Sequence, residues 1–110
     1  MTKAELLELY FGLDSDAKAL FLARLSNELT IWMRADYEES ADCSKRAKRL
    51  QGANELQHHI SSELRNHLLK TDDRYPDEVL INILLEKATY YEISEKLQSA
   101  LIRTAASTAG

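Results

Sequence analysis

Apolar residues recur every third or fourth position through most of this chain, the spacing that gathers side chains on one face of an α-helix. Thr2-x-x-Glu5 has the form of a capping box, and Leu6, Leu7, Leu9, Tyr10 and Phe11 follow it before Gly12. That pattern predicts a short first helix over about residues 3–11, begun at the Thr2 hydroxyl and stopped at the glycine. Asp14-Ser15-Asp16 is the next start signal. Either Asp14 or Ser15 can cap, and the acids suit the positive end of a helix dipole. At about 100° per residue, Phe21, Leu22, Leu25, Leu29, Trp32 and Met33 then fall within one arc of about 120°, predicting a second helix over about 15–39. Lys18 and Asp36 share that arc at its two ends, where a side chain can reach water.

Ser40-Ala41-Asp42-Cys43-Ser44 is polar and rich in capping types, and it reads as a connection. A third helix follows over about 45–70, with Leu50, Ala53, Leu56, Ile60, Leu64, His67 and Leu68 on one face. Gly52 lies off that stripe, where a helical glycine costs about 1 kcal/mol. Thr71-Asp72-Asp73-Arg74-Tyr75 forms a polar turn, and Pro76 opens a last helix, with Asp77 and Glu78 in its first turn, over about 76–105. Small residues from Ala105 to Gly110 make a fraying tail. The last helix carries two apolar stripes where the others carry one. Leu80, Leu84, Ala88, Tyr91 and Ile102 form the first; Val79, Ile83, Tyr90, Ile93, Leu97 and Leu101 form the second. Such a helix must be covered on more than one side.

The predicted fold is therefore all-α: an antiparallel bundle of three long helices plus a short N-terminal one, as a single domain over residues 1–110. Composition agrees. Three glycines and one proline are too few breakers for many short strands, and an apolar fraction of 45% is too high for a disordered chain. A 110-residue domain can bury roughly two-thirds of its unfolded surface, so it needs no disulfide or metal to fold. Cys43 is the only cysteine, which suits a reducing compartment and a cytoplasmic location. Acids near the N-terminus and the shortness of every apolar run point away from secretion and membrane spanning.

Charge refines this picture through its distribution. Residues 14–42 carry seven acids and three bases, residues 43–71 six bases and two acids, and residues 72–110 seven acids and four bases. A basic segment between two acidic ones is explained by charge complementarity between neighbouring helices, and a basic binding surface is the sharper alternative. Its densest part is Lys45-Arg46-Ala47-Lys48-Arg49, at a helix start where positive charge opposes the dipole, with Glu38, Glu39 and Asp42 just upstream to offset it. Four bases without recognisable helix-turn-helix spacing, on a chain of net charge −4, make a weak nucleic-acid signal.

Three features carry candidate chemistry. Glu55-Leu56-Gln57-His58 has the Glu-x-x-His form of di-iron bundles, and Glu55, His59, Glu63 and His67 recur every fourth residue. A di-iron bundle needs two such pairs and two further inward acids, so ordinary solvated neighbours one turn apart are the favoured reading. His67 lies on the apolar face, where donation to a backbone carbonyl or to an acid such as Asp36 accounts for it. Cys43 sits beside Lys45 and Arg46 near a helix N-terminus, a setting that favours thiolate, yet no nearby base or oxyanion site accompanies it. Trp32, Tyr90 and Tyr91 read as core aromatics, and Tyr10, Tyr37 and Tyr75 as rings at helix ends.

No catalytic, cofactor or metal residues are assigned on these grounds. The expected function is that of a small non-enzymatic protein-interaction module, a regulator, adaptor or inhibitor acting through a helix face as a homodimer. Val79, Ile83, Tyr90, Ile93, Leu97 and Leu101 are its candidate surface. A nucleic-acid-associated regulator using Lys45, Arg46, Lys48 and Arg49 is the alternative, and a metal-dependent enzyme centred on Glu55, His58 and His59 stands third.

Overall fold

The first helix begins as its sequence dictates: the Thr2 hydroxyl accepts the Glu5 amide at 3.2 Å while the Glu5 carboxylate accepts the Thr2 amide at 3.2 Å. These bonds hold the Glu5 carboxyl below its ordinary value, the backbone bond contributing most. The structure, a computed structural model, describes residues 2–39, 43–70 and 75–108, with side chains at 2–33, 46–70 and 75–107. Within those residues the chain forms five helices and no strand: α1 (Lys3–Phe11), α2 (Ser15–Glu39), α3 (Cys43–Leu69), α4 (Asp77–Tyr90) and α5 (Ser94–Thr108). Asp14 is the cap of α2, its carboxylate accepting the Ala17 amide at 2.8 Å. Of the expected connection over 40–44, residues 40–42 lie outside the described residues, while Cys43 and Ser44 already belong to α3. Of the expected turn over 71–75, only Tyr75 is described.

The helix expected over 76–105 is two helices. The chain turns a corner at Tyr91-Glu92-Ile93, where the Ile93 amide donates to the Ala88 carbonyl at 2.8 Å and the Glu92 amide to the Thr89 carbonyl at 3.2 Å. This is a Schellman ending, with Glu92 in the left-handed seat at φ 60°. No glycine or proline marks it. The side chain of Ile93 drops from the corner into the core, fully buried like Ala88, the hydrophobic contact that accompanies such an ending. A left-handed conformation costs a non-glycine residue roughly 1–2 kcal/mol. Glu92 is exposed, so Glu92→Gly should stabilise the fold by about 0.5–1 kcal/mol once the added unfolded-state entropy of glycine is subtracted. A higher urea midpoint at unchanged slope checks this. The tail also departs from expectation, since α5 continues through Thr108.

Helix α2 is the centre of the assembly. Phe21, Leu22, Leu25 and Leu29 are buried along its expected stripe, with Trp32 and Met33 packed at the edge. It packs against α3, where the Gln57 amide donates to the Ser26 carbonyl at 2.9 Å and to the Thr30 hydroxyl at 2.6 Å. It also packs against α5, joined by Arg24–Ser107 at 3.1 Å and Arg103–Glu28 at 2.8 Å. Helix α4 packs against α3, and α1 packs against α5 and α4. At about 1.5 Å per residue, the 27 residues of α3 account for the 40 Å long axis. The expected face of α3 holds at Ala53, Leu56 and Ile60, but Leu68 is exposed, and Gly52 and Glu63 are buried.

Candidate functional site

The six residues expected to form one interaction surface are divided by the corner. As one uninterrupted helix they would fall within an arc of about 80°. The turn at Glu92 resets that phase, so Ile93, Leu97 and Leu101 are fully buried in the chain's own core. Val79 and Tyr90 remain exposed, at 43% and 66%, with Ile83 half-buried between them on α4. Helix α4 thus buries Leu80, Ile81, Leu84, Leu85 and Ala88 inward and still turns an apolar stripe outward. Glu86 is exposed within that stripe. Lys87 shares a surface depression with it, and Lys48 Nζ lies 5.1 Å from the Tyr90 ring centre.

The basic cluster is likewise spread out. Lys48 stacks over Tyr90, whereas Arg49 lies 4.6 Å from the Trp32 ring centre and bonds Glu95 at 3.3 Å. Lys96 approaches the same indole at 5.8 Å. Arg46 is half-buried, and the side chains of Lys45, Cys43, Glu38, Glu39 and Asp42 lie outside the described residues. Two of the four bases therefore serve packing on rings of α2 and α4, where cation–π attraction holds α3 to its neighbours.

Glu55 is engaged in joining helices. Its Oε2 accepts the Tyr91 hydroxyl at 2.8 Å and Lys87 Nζ at 3.2 Å, tying α3 to the end of α4. Those two bonds, Tyr91 first, hold its carboxyl below the usual range, and the same bond pushes the Tyr91 phenol up. One turn earlier, Gly52 leaves a notch on α3: a Cβ placed there would stand 2.3 Å from Cβ and Cγ of Tyr91. Neighbouring His59 is lowered, first by burial and then by the Lys87 charge. Among the described residues no three or more His, Cys, Asp or Glu side chains gather as metal ligands.

Both perturbed groups give a pH dependence of one sign. Depressing the His59 pKa favours neutral imidazole in the fold, so that stability is present above the ordinary histidine value and lost as pH falls through it. Depressing the Glu55 pKa adds stability present above the ordinary carboxylate value and lost as pH falls through the folded one. Stability should fall modestly in two stages on acidification, and Tyr91→Phe should flatten the lower stage. Denaturant midpoints across the pH range check both.

A constellation that periodicity does not reveal lies at the other end of the fold. Tyr10, Lys18, Glu63, His67, Tyr75 and Asp77 line a cavity of about 440 Å³, together with the apolar Leu22 and Leu80. Glu63 is 4% exposed and accepts the Tyr75 backbone amide at 3.2 Å. Lys18 Nζ bonds Asp77 at 2.6 Å and stands 5.2 Å from the Tyr10 ring centre. Burial, then the charges of Asp77, Glu63 and Glu78, push the Tyr10 phenol above its ordinary value, so it stays neutral at physiological pH. The one sequence signal was local: Glu63 stands one turn before His67, which lies on the apolar face of α3. Their cavity partners come from α1, α2 and the start of α4. Compared with family models, curated proteins and solved structures, the chain matches none.

Proposed function

We propose that this chain is a small non-enzymatic interaction module that pairs with a second copy of itself through the outer face of α4. The observation that supports the reading is the stripe Val79, Ile83 and Tyr90, left outward on a helix that already buries Leu80, Ile81, Leu84, Leu85 and Ala88 on another face. Its chemistry suits self-association. Glu86 sits among the apolar groups, with Lys87 and the Lys48 ammonium over Tyr90 close by. A two-fold axis through the stripe would bring each Glu86 toward the other copy's lysines, satisfying charge while covering apolar surface. The lone cysteine suits a reducing cytoplasm as the place of action.

Light scattering across a concentration series tests the pairing. The expected result is a dimer that Val79→Glu or Tyr90→Lys converts to monomer without change in helix content. A wild-type chain that stays monomeric at the highest concentrations would sink the proposal.

A further inference from the structure

We propose that the cavity between the ends of α1 and α3 and the starts of α2 and α4 binds an ammonium group, with the Glu63 carboxylate as its counter-ion. The inference is independent of the α4 stripe, which lies on a separate surface. It starts from the charges in the wall. Lys18 and Asp77 neutralise each other at 2.6 Å, whereas Glu63, in the same lining as His67, forms no ion pair among the described residues. Glu63 is 4% exposed, and among the described residues the Tyr75 amide is its hydrogen-bond donor, at 3.2 Å. A carboxylate offers roughly four lone-pair sites, so one amide leaves most of its accepting capacity to whatever enters. Burying an uncompensated carboxylate is costly, and a bound cation that donates hydrogen bonds offsets that cost directly.

The rest of the lining fits the stem of such a ligand. Leu22 and Leu80 are buried apolar walls, and Tyr10 contributes a neutral ring that attracts cations over its face. Lys18 already exploits that attraction, lying 5.2 Å from the ring centre. Tyr75, 46% exposed, supplies a second ring at the rim. The volume of about 440 Å³ is within the range of small-molecule sites, roughly 300–1,000 Å³.

The opposite ligand charge has one argument in its favour, since two helices start at this cavity and their N-termini attract anions. Both ends are already met. Asp14 accepts the Ala17 amide at 2.8 Å on α2, and Asp77 and Glu78 occupy the first turn of α4. Among the described residues, Glu63 is the cavity-lining carboxylate that has no cation paired to it. The shared chemistry is an ammonium on an apolar stem, carried either by a free small amine or by a lysine side chain.

The test uses the full chain with n-butylammonium, and with butyrate and n-butanol as anionic and neutral analogues of equal length. Saturable amide chemical-shift changes at Tyr10, Glu63 and Tyr75 are expected with n-butylammonium alone. Glu63→Gln should weaken binding about tenfold or more, the loss of one charge-assisted pair, with far-UV circular dichroism unchanged. Should that variant fail to fold, Ala19→Phe fills the cavity from α2 and should abolish binding with Glu63 intact. An N-acetyl-lysine methylamide probe distinguishes the sources: binding comparable to n-butylammonium supports a lysine side chain, and markedly weaker binding supports a free amine. Saturation by butyrate or butanol at these amides, no saturable change with either amine, or full affinity in Glu63→Gln or Ala19→Phe would overturn the inference.

Discussion

Gly52→Ala is expected to destabilise the protein by about 2–3 kcal/mol, although alanine is the better helix former by about 1 kcal/mol. The added Cβ would stand 2.3 Å from both Cβ and Cγ of Tyr91. Favourable carbon contacts lie at about 3.5–4.0 Å, so one helix must move by more than an ångström. A change of χ1 can swing the Tyr91 Cγ away, but Cβ is fixed by the backbone and no rotamer withdraws it. Movement of that corner would also pull Tyr91 away from Glu55, now bonded at 2.8 Å. Two double variants sharpen the test. In a Tyr91→Ala background the Cβ clash persists, and Gly52→Ala should remain costly. In a Tyr91→Gly background the same change should be neutral or stabilising. Urea unfolding of the four chains, read as a coupling energy, checks the claim, and equal costs in the two backgrounds would refute it.

That glycine shows where sequence reasoning stops. A helical glycine off the apolar stripe reads as a small propensity loss, because the reason for it lies on another helix. The corner at Glu92 escaped for a related cause. Its left-handed seat is held by a residue with no turn preference, and the surrounding pattern from Val79 to Leu101 keeps helical phase across the break. By contrast α1 and the start of α2 were legible because their signals are local. Thr2 and Glu5 reciprocate within one turn, Asp14 caps its own helix, and the stripe from Phe21 to Leu29 buries one face.

The candidate sites divide along the same line. His67 was placed at a boundary by periodicity, and Glu63 was counted in the every-fourth series of acids and histidines. What makes them neighbours of Tyr10, Lys18 and Asp77 is the packing of four helix ends, which no local window contains. The basic cluster errs in the other direction. Lys48 and Arg49 are adjacent in sequence, yet Tyr90 and Trp32 draw their side chains to different rings.

The resetting of phase at Glu92 also makes two substitutions that look equivalent along the sequence diverge. Leu97→Glu is expected to unfold the protein, whereas Val79→Glu should change the stability of the single chain by no more than about 0.5 kcal/mol. Leu97 is fully buried, sharing the α5 stripe with Ala100, Leu101 and Thr104, next to Ile93 of the corner. A carboxylate there loses the packing of a core leucine, and the Thr104 hydroxyl of the same stripe already donates to the Ala100 carbonyl at 2.8 Å. An unpaired buried charge and a lost core side chain together cost about 5 kcal/mol or more, a large share of the roughly 5–15 kcal/mol that holds a domain folded. Val79 is 43% exposed in the first turn of α4, where an added acid is favoured by the helix dipole. Circular dichroism and thermal unfolding of the two variants compare them directly. If the six residues did share one outward face, both variants would stay folded and differ only in association. Retention of a cooperative fold by Leu97→Glu would therefore restore the single long helix and remove the corner at Glu92.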